Sequence, residues 1–126
     1  MRHFTLELDD LRNKLLQMGG MVESAVHRSV RALVDRDELT ARRVMAGEAA
    51  INQMESEIDA LCTRLLVLQQ PVARDLRFLT AVLKINTDLE RMGDLAKGIA
   101  ARALSLRDGI SIRPEMLEML DRLEHE

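Results

Sequence analysis

Tryptophan and tyrosine are absent from this chain, and among its 126 residues only Phe4 and Phe78 are aromatic. Sheet cores draw heavily on aromatic and β-branched side chains. Here Leu, Ile, Val, Ala and eight Met residues must fill the interior, a composition that favours helices. Proline occurs only at Pro71 and Pro114, both where long helical patterns stop and restart, as suits a first helical turn. The single cysteine, Cys62, has no partner for an internal disulfide and fits a reducing compartment, the cytoplasm. Beside Leu61 it reads as inert, buried filler. No apolar run approaches the roughly 18 residues of a spanning helix, and the first residues lack the apolar stretch of a signal peptide. A soluble protein is expected, at most held at a membrane through partners. Neither charge sign dominates: 18 basic against 21 acidic residues leave a net charge of -3, which argues against nucleic acid as the main partner. The 47% of apolar residues suffices for a core and excludes a disordered tail. The length suits one compact domain.

Three long helical patterns follow. From about Phe4 to Val34, the residues Phe4, Leu8, Leu11, Leu15, Met18, Val22, Ala25 and Ser29 alternate by four and three, a heptad-like seam. Asp35-Arg36-Asp37 breaks it, with Asp37 placed to cap the next helix. From about Glu38 to Leu68 the seam is Val44, Gly47, Ile51, Met54, Ile58, Leu61, Leu65 and Leu68. Gln69-Gln70-Pro71 is the turn. From about Val72 to Leu106, Leu76, Leu79, Leu83, Leu89, Ala96, Ala100 and Ala103 point inward, and the small residues of the second half admit a close neighbour. Gly19-Gly20 inside the first helix suggests a close contact or a kink there. Each rod spans ~45 Å at a 1.5 Å rise. The spacing predicts an all-α, antiparallel up-down-up three-helix bundle over residues 4–108, then the start of a fourth helix over 114–126 through Met116, Leu120 and Leu123. That last amphipathic stretch is expected to pair with a second copy, giving a homodimer.

Glu48, Asn52, Glu55 and Asp59 are spaced by four, three and four on the second helix, and Glu90 and Asp94 by four on the third. Carboxylates four apart share one helix face and repel by a few tenths of a kcal/mol. A hard cation relieves that repulsion and takes oxygen ligands. With a turn pivoting near Gln70, Glu48 and Asn52 fall level with Glu90 and Asp94; Glu55 lies a turn away and Asp59 further. The expected metal set is Glu48, Asn52, Glu55, Glu90 and Asp94, with Asp59 in a second tier and Fe, Mn, Mg or Zn as the ion. No histidine joins it, which disfavours a di-iron carboxylate enzyme of the Glu-x-x-His kind. The alternative is a solvated flank answered by Arg91, Lys97, Arg42 and Arg43. Asp75, in the first turn of the third helix, is favoured by the dipole; Asp75, Arg77 and Arg91 are expected in structural ion pairs.

Gln70-Pro71-Val72-Ala73-Arg74-Asp75-Leu76-Arg77, Asp88-Leu89-Glu90-Arg91-Met92-Gly93-Asp94 and Met18-Gly19-Gly20-Met21-Val22-Glu23 closely resemble segments of the PhoU family. The stretch from about Leu6 to Leu106 looks like one family repeat, and the fourth helix like the start of a second. The resemblance implies a cytoplasmic negative regulator of phosphate uptake and phosphate-starvation signalling. It would act by contact with the ATPase of a phosphate ABC transporter and with a phosphate sensor kinase, and would not be an enzyme. It also implies a metal at ExxxD motifs, met by Glu90 and Asp94, whereas Asn52 replaces an acid after Glu48. A carboxylate-bridged metal enzyme and a purely structural interaction module are the competing readings.

Overall fold

A computed structural model describes residues 2–106, 119 and 121–124. Three helices make up the bundle: α1 (Arg2–Asp35), α2 (Glu38–Gln69) and α3 (Ala73–Ser105). Each packs on both others. Glu7 meets Arg64 at 2.9 Å and Lys14 meets Glu57 at 3.6 Å, so α1 and α2 run antiparallel. Arg12 lies over the Phe78 ring, 5.2 Å from its centroid, so α1 and α3 run parallel. The expected up-down-up bundle is the one found. The proposed ends of the third helix at Asp108-Gly109, and Pro114, Met116 and Leu120 of the fourth, lie outside the described residues.

Both turns are built by local chemistry. Arg36 takes a left-handed φ of 55°, and the Asp37 N–H donates to the Ala32 carbonyl at 2.9 Å, the Schellman way of satisfying a helix end. The Asp37 carboxylate then accepts from the Thr40 N–H at 3.2 Å and the Thr40 hydroxyl at 2.7 Å, capping α2 as its sequence predicts and holding its own pKa below the ordinary range. At the second turn Gln70 is left-handed, with φ 41°. Val72 is the N-cap of α3 and makes no side-chain capping bond.

The seams pack as spaced along most of their length, but Gly47 is exposed. Leu11, Met18, Val22, Ile58, Leu65, Leu79 and Val82 form one buried cluster with Phe4, Ile51, Leu61 and Cys62. A second, smaller-residue cluster holds Ala32, Leu33, Ala41, Val44, Ala96, Ala100, Ala103 and Leu106. Gly93 lies where α3 meets α2: a Cβ built there would lie 3.4 Å from the Ile51 side chain, about contact distance. The Gly19-Gly20 pair does not work that way, because nothing lies within 4 Å of a Cβ at either position. Burial, with the Asp59 charge behind it, pushes the Cys62 thiol up to about 11, which keeps it protonated and unreactive at neutral pH. Leu68 and Leu76 carry seam spacing, yet they are exposed.

Residues 121–124 are helical and lie against α1. Arg31 bonds Asp121 at 3.0 Å and also bonds Glu124, and His27 sits 3.4 Å from Glu124. The Glu124 bond is the largest cause of the raised Arg31 pKa. Met119 and Leu123 are exposed.

Candidate functional site

The carboxylates lie where α2 and α3 run side by side. Three contacts fix the register. Gly93 faces Ile51, the Asn86 amide donates to the Glu55 backbone carbonyl at 3.0 Å, and Lys97 Nζ reaches Glu48 Oε2 at 2.8 Å. Relative to the pairing expected from a pivot at Gln70, the shift ranges from one residue, at Asn86 with Glu55, to about one helical turn, at Gly93 with Ile51 and Lys97 with Glu48. The physical reason is the turn itself: Gln70, Pro71 and Val72 are all outside helix, so α3 begins later than a pivot at Gln70 assumes.

The displacement re-sorts the candidate residues. Glu55, a turn away in the pairing expected from spacing, is the α2 acid that shares its surroundings with Glu90 and Asp94. Burial first, then the charges of Asp59 and Asp94, raise its pKa. Glu90 is raised by a side-chain hydrogen bond with Asp94, then by burial and the charges of Asp94 and Glu55, with Arg91 acting the other way. Glu48 is answered by Lys97, whose own pKa is raised chiefly by that hydrogen bond, so at this position the ion-pair alternative holds. Asn52 and Asp59 are exposed. Asp75 occupies the first turn of α3, but the ion pairs expected at Asp75, Arg77 and Arg91 are not formed among the described residues. Arg77 and Arg91 are exposed, pointing to solvent where no neighbouring helix answers them.

Asn86 is not among the residues that the acidic spacing marks out. It is 3% exposed and stands four residues before Glu90, so Asn86, Glu90 and Asp94 form one column on α3, a signal present in the spacing. Its Oδ1 is buried without a hydrogen-bond partner among the described residues. The donor chemistry of Glu55, Glu90, Asp94 and Asn86 suits a hard cation. Their placement does not yet make a shell: among the described residues no three His, Cys, Asp or Glu side chains are grouped to hold an ion. The arrangement stores like-charge repulsion between two helices.

That repulsion has a measurable sign. A carboxyl with a raised folded-state pKa adds stability below its unfolded pKa, and the contribution is lost as pH rises through the folded value. Glu90→Gln should therefore stabilise the bundle at pH 7, by about 0.3 kcal/mol given its exposure. The gain should vanish at a pH below the ordinary carboxylate range, where wild-type Glu90, its pKa raised, is protonated too. Denaturant midpoints at the two pH values check this; equal effects at both would remove the repulsion.

The profile of the PhoU domain matches residues 15–103. The chain is 46% identical over 105 residues to the phosphate-specific transport system accessory protein PhoU homolog of Pseudomonas aeruginosa, covering 83% of this chain and 43% of that protein. It is 39% identical over 101 residues to the Escherichia coli K12 protein of that name, covering 80% and 42%. Among solved structures, PhoU from Pseudomonas aeruginosa superposes with a TM-score of 0.90 at 41% identity, covering 97% of this chain and 58% of that one. The phosphate transport system regulatory protein PhoU from Streptococcus pneumoniae superposes with a TM-score of 0.81 at 35% identity, covering 94% and 56%. The chain thus spans less than half the length of the curated relatives just described.

Proposed function

This chain belongs to the PhoU domain family, and on that premise we propose that it is a regulatory module of a phosphate-specific transport system, acting by contact and not by turnover. The observation that carries this reading is the match of the whole bundle to proteins named as accessory or regulatory to phosphate transport. The module holds down phosphate uptake by touching the transporter's ATPase, and starvation signalling by touching a sensor kinase. Its place is the cytoplasmic side of the membrane, in keeping with the finding that no described helix is long and apolar enough to cross one.

The reading includes a metal. Repulsion among Glu55, Glu90 and Asp94 supports a hard di- or trivalent cation, Fe, Mn, Mg or Zn, drawn between α2 and α3. Bound there, it would screen the three charges and clamp the two helices. Glu48 takes a lesser part because Lys97 already neutralises it.

The contact reading is tested on proteoliposomes that carry a purified phosphate-specific transport system, with the chain supplied on the ATPase side. The chain should co-sediment with these vesicles and lower their phosphate flux. Flux unaltered at saturating chain, with no co-sedimentation, would end the reading.

A further inference from the structure

The last fully buried pair before the second turn is Leu65 on α2 and Leu79 on α3, which are 1% and 0% exposed. Beyond it the chain makes its second turn, and four aliphatic side chains there are left in solvent. Val67, Leu68 and Val72 are 69%, 68% and 66% exposed, and Leu76 is 45% exposed. The left-handed Gln70 and the extended Val72 turn the chain between them, so all four flank one turn at the end of the bundle, an apolar knuckle. Scattered exposed apolar residues need no explanation, but a group of them on one feature does.

Two further observations give the knuckle a charge. Arg74 and Arg77, exposed on the first turns of α3, form no hydrogen bond or ion pair among the described residues. Val72 occupies the N-cap without a capping bond, so no side chain at the N-cap answers the positive end of the α3 dipole. Valine is among the poorest N-cap residues. The bundle forgoes stability at this position and keeps an apolar side chain facing outward.

Resting on the regulatory reading above, we propose that this knuckle is the surface by which the chain docks on the phosphate-specific transport system, seated in an apolar cleft rimmed by carboxylates. The aliphatic side chains fill the cleft; Arg74, Arg77 and the helix end meet its acidic rim. Electrostatic complementarity of this kind sets orientation and association rate. A protein cleft fits better than an anionic lipid surface, because Arg74 and Arg77 are two cations with Asp75 between them, where lipid recognition takes a cluster of about four to eight.

Binding to proteoliposomes with and without the transport system, measured for the wild-type chain and for three variants, tests this. Val72→Asp places a capping carboxylate at α3. It should raise the thermal midpoint by about 4 °C, so a misfolded variant is recognised at once. It should nevertheless weaken binding at least tenfold, because it adds an acid facing an acidic rim. Arg74→Glu with Arg77→Glu should weaken binding at least as much, and Leu16→Ser, an exposed apolar change elsewhere on α1, should leave it unchanged. Wild-type binding that survives both knuckle changes would overturn the surface while leaving the regulatory reading intact. Failure of the wild-type chain to bind at all would overturn both. Binding to protein-free liposomes, lost in the same variants, would make lipid the occupant and overturn the protein cleft.

Discussion

Ile58→Ala should destabilise the bundle by about 3 kcal/mol, a large part of the roughly 5–15 kcal/mol available to a domain. Ile58 is 0% exposed and belongs to the cluster with Leu11, Met18, Val22, Leu65, Leu79 and Val82. Removing three carbons there loses their transfer free energy and leaves a cavity whose cost depends on how far the walls relax. The walls are short aliphatic side chains on three long helices, held by their own backbones. Met18, unbranched and adaptable, is the side chain best able to lean in, so Met18→Val with Ile58→Ala should cost more than the two single changes added together. Chemical denaturation followed by far-ultraviolet circular dichroism gives these values. A loss below ~1 kcal/mol for Ile58→Ala would show that the seam does not bear the packing assigned to it.

The second large effect concerns the proposed cation. Glu90→Ala with Asp94→Ala should abolish binding of added Fe, Mn, Mg or Zn, as read by calorimetry and elemental analysis, and leave the helical content intact. Glu90 is half-buried, Asp94 is exposed, and neither belongs to a core cluster. Glu55→Ala should come next in severity, since Glu55 and Glu90 feel one another's charge. Glu48→Ala should matter less, and Asp59→Ala least. Affinity should fall as the carboxyls protonate, and the raised pKa values of Glu55 and Glu90 start that fall at a higher pH than ordinary carboxylates would. Binding that survives the double change, or that depends chiefly on Asp59, would rule out this site.

Some of this architecture is readable from spacing alone. The four-three alternation from Phe4 to Ser29 marks the buried stripe of α1, because a helix seam leaves that period whatever its neighbours are. Asp37 announces its cap, because capping depends on a few adjacent residues. The pairing of α2 with α3 is not local in this sense. It depends on how many residues the turn consumes, and a left-handed Gln70 followed by two non-helical residues moves the pairing by one residue at Asn86 and by about a turn at Gly93 and Lys97. That shift exchanges Glu48 for Glu55 beside Glu90. It also hides Asn86, since an asparagine at a buried position cannot be told from a surface one until the facing carbonyl of Glu55 is known. Leu68 and Leu76 mislead for a related reason: periodicity marks the face a residue lies on and is silent on where the neighbouring rods stop. The PhoU resemblance, by contrast, rests on contiguous segments and needs no register.

The two core clusters differ in the size of what they bury. One end of the bundle packs Phe4, Leu11, Met18, Ile58, Leu61 and Leu65; the other packs chiefly Ala32, Ala41, Ala96, Ala100 and Ala103. Apolar area removed from water per turn of helix is therefore smaller at the alanine end, and local opening costs correspondingly less there. Amide protons in the last turns of α1 and α3 and the first turns of α2 would exchange with solvent through partial unzipping, while those near Ile58 and Leu79 await global unfolding. The rods should therefore be graded in rigidity along their length. The stiff end carries the knuckle, and the end that breathes is the one against which residues 121–124 rest.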